Sequence, residues 1–178
     1  MTDEQVMIAV NEGDLDKAAI LFERYHIRLY NFFLRMTYDK ELSHDMTQNV
    51  FERLLKYRTS YKYGKQFKSW IFQIARNVRN DYYQKVERRR AQFVDVEAMG
   101  KESAVNTDEE QAERERVLSQ AMTMLSEEQR EVLVLSKYQK MKYEEIADIL
   151  GCSVSAAKVK AHRAIKKLRG LYFMVEAQ

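Results

Sequence analysis

Apolar side chains along this chain recur at every third or fourth residue, the spacing that lines them up on one face of an α-helix. Leu15, Ala18, Phe22, Tyr25, Leu29, Phe32 and Met36 form one such series. A second, Leu42, Met46, Val50 and Leu54, predicts a helix from about Lys40 to Tyr57. The stretch RTSYKYGKQ interrupts the pattern around Gly64, and a third long helix follows with Phe67, Ile71, Ile74, Val78 and Tyr82 facing inward. Further along, Leu118, Met122 and Leu125 close one helix. Ser126-Glu127-Glu128-Gln129 then reads as a capping box, in which Ser126 and Gln129 each satisfy an orphan backbone N–H. Val132, Leu133 and Leu135 continue the apolar pattern, and Tyr143, Ile146, Ala147 and Leu150 make a short amphipathic helix. No alternating strand pattern of useful length occurs, so the expected fold is all-α.

Periodicity lapses between Asp95 and Asp108, where large apolar residues are also scarce. This divides the chain into two small helical domains, 1–92 and 113–178, joined by an acidic linker over 93–112. Charge follows the same division. Residues 1–92 hold 17 cations and 12 anions, residues 93–117 hold 3 and 8, and residues 118–178 hold 10 and 7. Two basic blocks thus flank an acidic connector, which near Glu109 could equally be the start of a solvated helix.

With 46% hydrophobic and 32% charged residues the chain has the makeup of a folded soluble protein. Proline is absent and glycines number five, so Gly13, Gly64, Gly100, Gly151 and Gly170 read as punctuation between helices. The single cysteine, Cys152, rules out an internal disulfide and suits a reducing compartment. The first residues lack the basic and apolar regions of a secretory signal, and no apolar run reaches membrane-spanning length. A cytoplasmic protein without membrane insertion is expected.

The last helix carries the most pointed signal. From Ser155 to Arg169 it holds Lys158, Lys160, Arg163, Lys166, Lys167 and Arg169 plus His162, and no acid. Just before it, Ala147, Gly151 and Ser153 supply what a helix-turn-helix joint needs: a small residue at the contact, a glycine for the left-handed turn and a hydroxyl cap. At 100° per residue Ala157, Ala161, Ala164, Ile165 and Leu168 fall in one arc, leaving Ser155, Val159, His162, Arg163 and Lys166 opposite, flanked by Lys158, Lys160 and Arg169. A basic face on a closely seated helix suits the DNA major groove, with phosphates neutralising its flanks. A charge run alone would also suit a solvated helix; the joint tips the reading to DNA. Val159 is either an exposed apolar residue or a contact to a thymine methyl.

The front domain adds a second nucleic-acid signal. In SYKYGKQFKSW, Tyr61, Tyr63, Phe67 and Trp70 alternate with Lys62, Lys65 and Lys68. Rings that stack on bases beside lysines that follow phosphates suit a single strand. Phe67 lies on the apolar stripe and Trp70 at its edge, so both have a core reading as well. Arg76, Asn80, Tyr83 and Arg90 share the outward side of the third helix.

Three separated segments, ELSHDMTQNVFERLLKY, FKSWIFQIARNVRNDYYQK and LSEEQREVLVLSKYQKMKYEEIADILGCSVSAAKVKAHRAIKKLR, together resemble regions two and four of the bacterial extracytoplasmic-function sigma factors. The resemblance spans nearly the whole chain apart from the linker and the termini. It implies a subunit that directs core RNA polymerase to specific promoters and helps melt them. By this resemblance Asp45, Gln48, Asn49 and Glu52 would bind core polymerase. The minus-10 element would be met by Tyr61, Lys62, Tyr63, Lys65, Gln66, Lys68, Trp70, Gln73, Arg76, Asn77, Asn80 and Tyr83, with Tyr61 to Gln66 forming a loop that captures an extruded base. The minus-35 element would be met by Ser153, Ser155, Lys158, Val159, Lys160, His162, Arg163 and Lys166. The partners implied are core RNA polymerase and promoter DNA, duplex and single-stranded; the small two-domain form of the family often has an anti-sigma factor as well.

No covalent chemistry is expected. A phosphate-binding glycine loop is missing, and His26, His44, His162 and Cys152 are each isolated, so no metal, cofactor or small-molecule substrate is expected. The competing reading is a stand-alone helix-turn-helix regulator that grips duplex operators without polymerase. A helical interaction protein whose basic faces meet acidic partners would leave the helix-turn-helix joint unexplained.

Overall fold

The computed structural model describes residues 1–92 and 109–178, and regular structure among them is entirely helical. The chain divides into two compact units, Met1–Met99 and Gly100–Gln178. Most of the expected linker, 93–112, lies outside the described residues. Its last four positions are instead the first turn of a helix, where acids favour the positive end of the helix dipole and Glu110 pairs with Arg114 at 2.6 Å.

The front unit contains α1 (Asp3–Asn11), α2 (Ala18–Thr37), α3 (Lys40–Lys56) and α4 (Phe67–Arg90). The sequence reading did not anticipate α1. Its signal is present nonetheless: Thr2 and Gln5 form a reciprocal capping box, and Val6, Met7 and Val10 are fully buried. Between α2 and α3 the chain reverses in two residues. Tyr38 takes a left-handed conformation with φ 57°, and the Asp39 carboxylate accepts from the Leu42 N–H at 2.9 Å to start α3.

Leu29, Phe32, Met36, Met46, Val50, Leu54, Phe67, Ile71, Ile74 and Val78 are buried as the spacing predicts. Leu15 and Phe22 are exposed instead. A separate 3-10 turn, Leu15–Lys17, precedes α2 and breaks the phase, so Leu21 rather than Phe22 points inward. Phe22 lies on the surface against Phe51, ring centroids 4.8 Å apart. Tyr82 is likewise exposed, and no residue of α4 beyond Arg79 is buried.

The second unit contains α5 (Glu109–Met124), α6 (Glu127–Leu133), α7 (Tyr143–Leu150) and α8 (Val154–Glu176). The capping box at Ser126 and Gln129 forms as read. After Leu133 the helix widens into a π-helical turn, Val134–Tyr138, and Lys140 reverses the chain at φ 52°. Helices α5, α6 and α7 all pack on α8. Gly170 does not end α8. Leu171 and Val175 are buried beyond it, and their burial carries the helix on to Glu176. Arg130, inside the capping-box helix, donates to the carbonyls of Met122, Thr123 and Leu125 at 3.1 to 3.2 Å. It thereby satisfies the orphan carbonyls at the end of α5 and fixes α6 against it.

Candidate nucleic-acid and polymerase interfaces

The joint between α7 and α8 is built as the residue types dictate. Gly151 closes α7 at φ 68°, ψ 38°, and the Cys152 N–H reaches back to the Ala147 carbonyl at 3.1 Å. The Ser153 hydroxyl accepts from the Ala156 N–H at 3.0 Å and opens α8. Ala157, Ala161 and Ala164 are fully buried, so their small side chains let α8 seat closely on the rest of the unit. Ser155, Lys158, Val159, His162, Arg163 and Lys166 all emerge on the opposite, exposed side. Val159 is 47% exposed among them.

A groove of about 590 Å³ runs between α6 and α8, lined by Gln129, Val132, Ser155, Val159 and Arg163 together with Glu128. Lys160 departs from its neighbours. It is half-buried and ion-paired with Glu128 of α6, so its charge already has a partner within the protein. The Ser153 hydroxyl is similarly engaged by its cap.

In the front unit the structure separates the aromatic–lysine stretch into two classes. Tyr61 is 3% exposed and Trp70 8%, their rings edge to face at 5.1 Å. The Tyr61 hydroxyl donates to the Lys65 carbonyl at 2.5 Å, closing the turn in which Gly64 takes φ 84°. Burial deprives a phenolate of water, and the carboxylates of Glu4 and Asp3 add to this, so the Tyr61 pKa is pushed up to about 12. Tyr61 and Trp70 therefore form the floor of the loop and offer no ring face to a base, contrary to the sequence expectation. Lys62, Tyr63, Lys65 and Gln66 stand outside, with Tyr63 67% exposed. On α4, Asn77 is exposed, while Lys68, Gln73, Arg76, Asn80 and Tyr83 are partly covered.

On α3, Asp45, Gln48 and Glu52 are exposed on one face at helical spacing. Asn49 shares that face but is half-buried, accepting from Arg53 Nε at 2.9 Å. The same guanidinium pairs with Asp81 of α4 at 2.7 Å. This brace between α3 and α4 escaped the sequence reading, since residues 28 apart leave no local pattern. Among the described residues no cluster of His, Cys, Asp or Glu is placed to hold a metal, and no helix is long and apolar enough to cross a membrane.

Two helical units, one offering a helix-turn-helix with a basic outer face and the other a lysine-rich loop, define the class of helix-turn-helix DNA-binding proteins. Comparison with known proteins narrows this class. The Sigma-70 region 2 family matches residues 21–90 and the Sigma-70, region 4 family residues 115–168. The RNA polymerase sigma factor CarQ of Myxococcus xanthus is 31% identical over 171 residues, covering 94% of this chain and 95% of that protein. The ECF RNA polymerase sigma factor SigM of Bacillus subtilis is 32% identical, with 85% and 93% covered. Among solved structures, CnrH in complex with the cytosolic domain of CnrY shares the fold at a TM-score of 0.72 and 22% identity, covering 95% of this chain and 96% of that one. RpoE in complex with the anti-sigma factor NepR from Bartonella quintana does so at 0.65 and 22%, covering 86% and 94%.

The chain belongs to the extracytoplasmic-function family of RNA polymerase sigma factors. It directs core polymerase to specific promoters and assists their melting at initiation; the stand-alone regulator is not favoured. Sigma factors are initiation factors and generally non-catalytic.

Proposed function

We propose that the two units divide promoter recognition. The exposed face of α8, from Ser155 to Lys166, reads the minus-35 duplex, with Ser153 at its start. The outer residues of the loop, Lys62, Tyr63, Lys65 and Gln66, receive the melted minus-10 strand, and Lys68, Gln73, Arg76, Asn77, Asn80 and Tyr83 continue that surface along α4. Asp45, Gln48 and Glu52, with Asn49 held beside them by Arg53, contact core polymerase.

The observation that carries this reading is the division of α8 itself: alanines 157, 161 and 164 are buried, while Lys158, Val159, His162, Arg163 and Lys166 face outward without an acid on the helix among them. Such a face seats in a major groove and neutralises the phosphates beside it. The protein itself makes and breaks no covalent bond. Its binding energy offsets the unstacking of each extruded base, a cost of roughly a few kcal/mol. It acts in the cytoplasm, where its template lies. An anti-sigma factor is a further partner, as the similar RpoE is found in complex with one.

The test is transcription by core polymerase on promoter fragments with and without this protein. Start sites that require it, preceded by two shared sequence elements, are expected. Tight duplex binding by the protein alone, with polymerase indifferent to it, would overturn the reading.

A further inference from the structure

Helix α1 lies before the segment that matches region 2, which begins at residue 21. Its polar side chains nonetheless converge on one distant stretch, the loop from Tyr61 to Phe67. Asn11 Nδ2 donates to the Tyr61 carbonyl at 3.1 Å. The Tyr63 hydroxyl donates to Glu12 Oε1, just beyond the helix, at 2.8 Å. Glu4 Oε1 accepts from the Phe67 N–H, the first of α4, at 3.1 Å.

The third contact answers a local deficiency. The residue at the N-cap of α4 is Gln66, whose side chain makes no capping bond, and glutamine is not among the favoured caps. A carboxylate from α1 supplies the missing acceptor, and its charge lies at the positive end of the α4 dipole. The helix is itself anchored. Asp3 pairs with Arg24 at 2.7 Å and accepts from the Tyr25 hydroxyl at 2.5 Å, while Val6, Met7 and Val10 are fully buried.

We propose that α1 is a positioning element for the minus-10 loop: Glu4, Asn11 and Glu12 hold its two ends and its crown so that Lys62, Lys65 and Gln66 are set for the melted strand before it arrives. The proposal rests on the assignment of that loop to the minus-10 strand. A loop held in its binding shape binds with its full affinity, whereas one that samples other shapes loses affinity by the fraction of time spent in them. Glu4, Asn11 and Glu12 are positioning residues and do not touch DNA.

The test uses holoenzyme, meaning this protein with core polymerase, and a short single-stranded oligonucleotide carrying the non-template minus-10 sequence. Glu4→Ala combined with Asn11→Ala is expected to weaken oligonucleotide binding about tenfold, from one cap and one further hydrogen bond lost. Core polymerase affinity should change by less than about twofold, because the exposed face of α3 is untouched. Glu4→Gln keeps an acceptor on the same stem and should recover most of the loss. Unchanged oligonucleotide binding in the double variant overturns the proposal. So does an equal loss of core affinity, which would make α1 a general support of the fold. Lys62→Ala with Lys65→Ala separates the two levels of the argument. If it too leaves binding unchanged, the loop assignment falls and the role of α1 with it; if it weakens binding while the α1 variant does not, only the role of α1 falls.

Discussion

Replacing Gly151 by alanine tests how the helix-turn-helix joint is made. At φ 68°, ψ 38° this residue is left-handed, and a methyl group placed on it would meet no atom within 4 Å. The cost is therefore purely conformational. An L-residue in this region pays about 1–2 kcal/mol, and alanine returns about 0.4–1 kcal/mol by restricting the unfolded chain. Taking the middle of each range, the net destabilisation is about 0.8 kcal/mol, and in a domain of this size Tm falls by about 4–8 °C for each kcal/mol. The assay is thermal unfolding of the whole chain by circular dichroism and by fluorescence. Trp70 is the only tryptophan and lies in the front unit, so its transition should stay in place while the transition seen only by circular dichroism moves down. Gly151→Asn should cost less, since asparagine visits this region more readily. An unmoved transition for alanine, or asparagine as costly as alanine, would refute the argument.

Other consequences follow from named contacts. Lys158→Ala or Arg163→Ala should each lower the salt dependence of promoter binding by about one phosphate, a slope change near 0.9, whereas Lys160→Ala should change it less because Glu128 already neutralises it. Titration of binding affinity against salt, with holoenzyme, distinguishes the three. Arg130→Ala strips the donor from the Met122 and Thr123 carbonyls of α5 and from that of Leu125 just beyond it, and should destabilise the second unit by about 1.5–3 kcal/mol, read from its circular dichroism transition. Tyr61 has its pKa raised from 10 to about 12, and that of Tyr25 is raised in the same direction, chiefly by burial and then by its bond to Asp3. Both are neutral when protonated, so their contribution is complete below pH 10 and is lost as pH rises toward 12. The denaturant midpoint followed by Trp70 should fall across that window, and Tyr61→Phe should flatten part of the fall.

Residues that act through neighbours in sequence were legible from the sequence. The α3 stripe of Met46, Val50 and Leu54, the capping box at Ser126, and the Ala147, Gly151 and Ser153 joint each depend on spacings of a turn or two, which fix local geometry directly. What escaped depends on contacts between distant residues. Nothing near Gln66 announces that Glu4, more than sixty positions away, will cap its helix. Tyr61 and Trp70 have the composition of a stacking surface, and only the packing of α4 against the loop turns them inward. Gly170 misled for a related reason: Leu171 and Val175 find buried places beyond it, and that gain exceeds the cost of about 1 kcal/mol for glycine inside a helix. The α2 stripe failed only at its start, at Leu15 and Phe22, because a separate 3-10 turn there breaks the helical phase before Tyr25, Leu29, Phe32 and Met36 take it up.

The pairing of Lys160 with Glu128 bears on the time this protein spends away from its promoters. Contact with arbitrary DNA is governed by how many phosphates are neutralised and hardly at all by sequence. A lysine occupied inside the protein removes about one such contact, worth roughly 3- to 4-fold in affinity across a fourfold change in salt. Holoenzyme would dissociate sooner from the long stretches of chromosome that carry no signal, and each release shortens the search. If α8 meets DNA as proposed, the acid on α6 would act as a brake on indiscriminate adhesion, and Arg163 and its exposed neighbours would hold where the sequence is right.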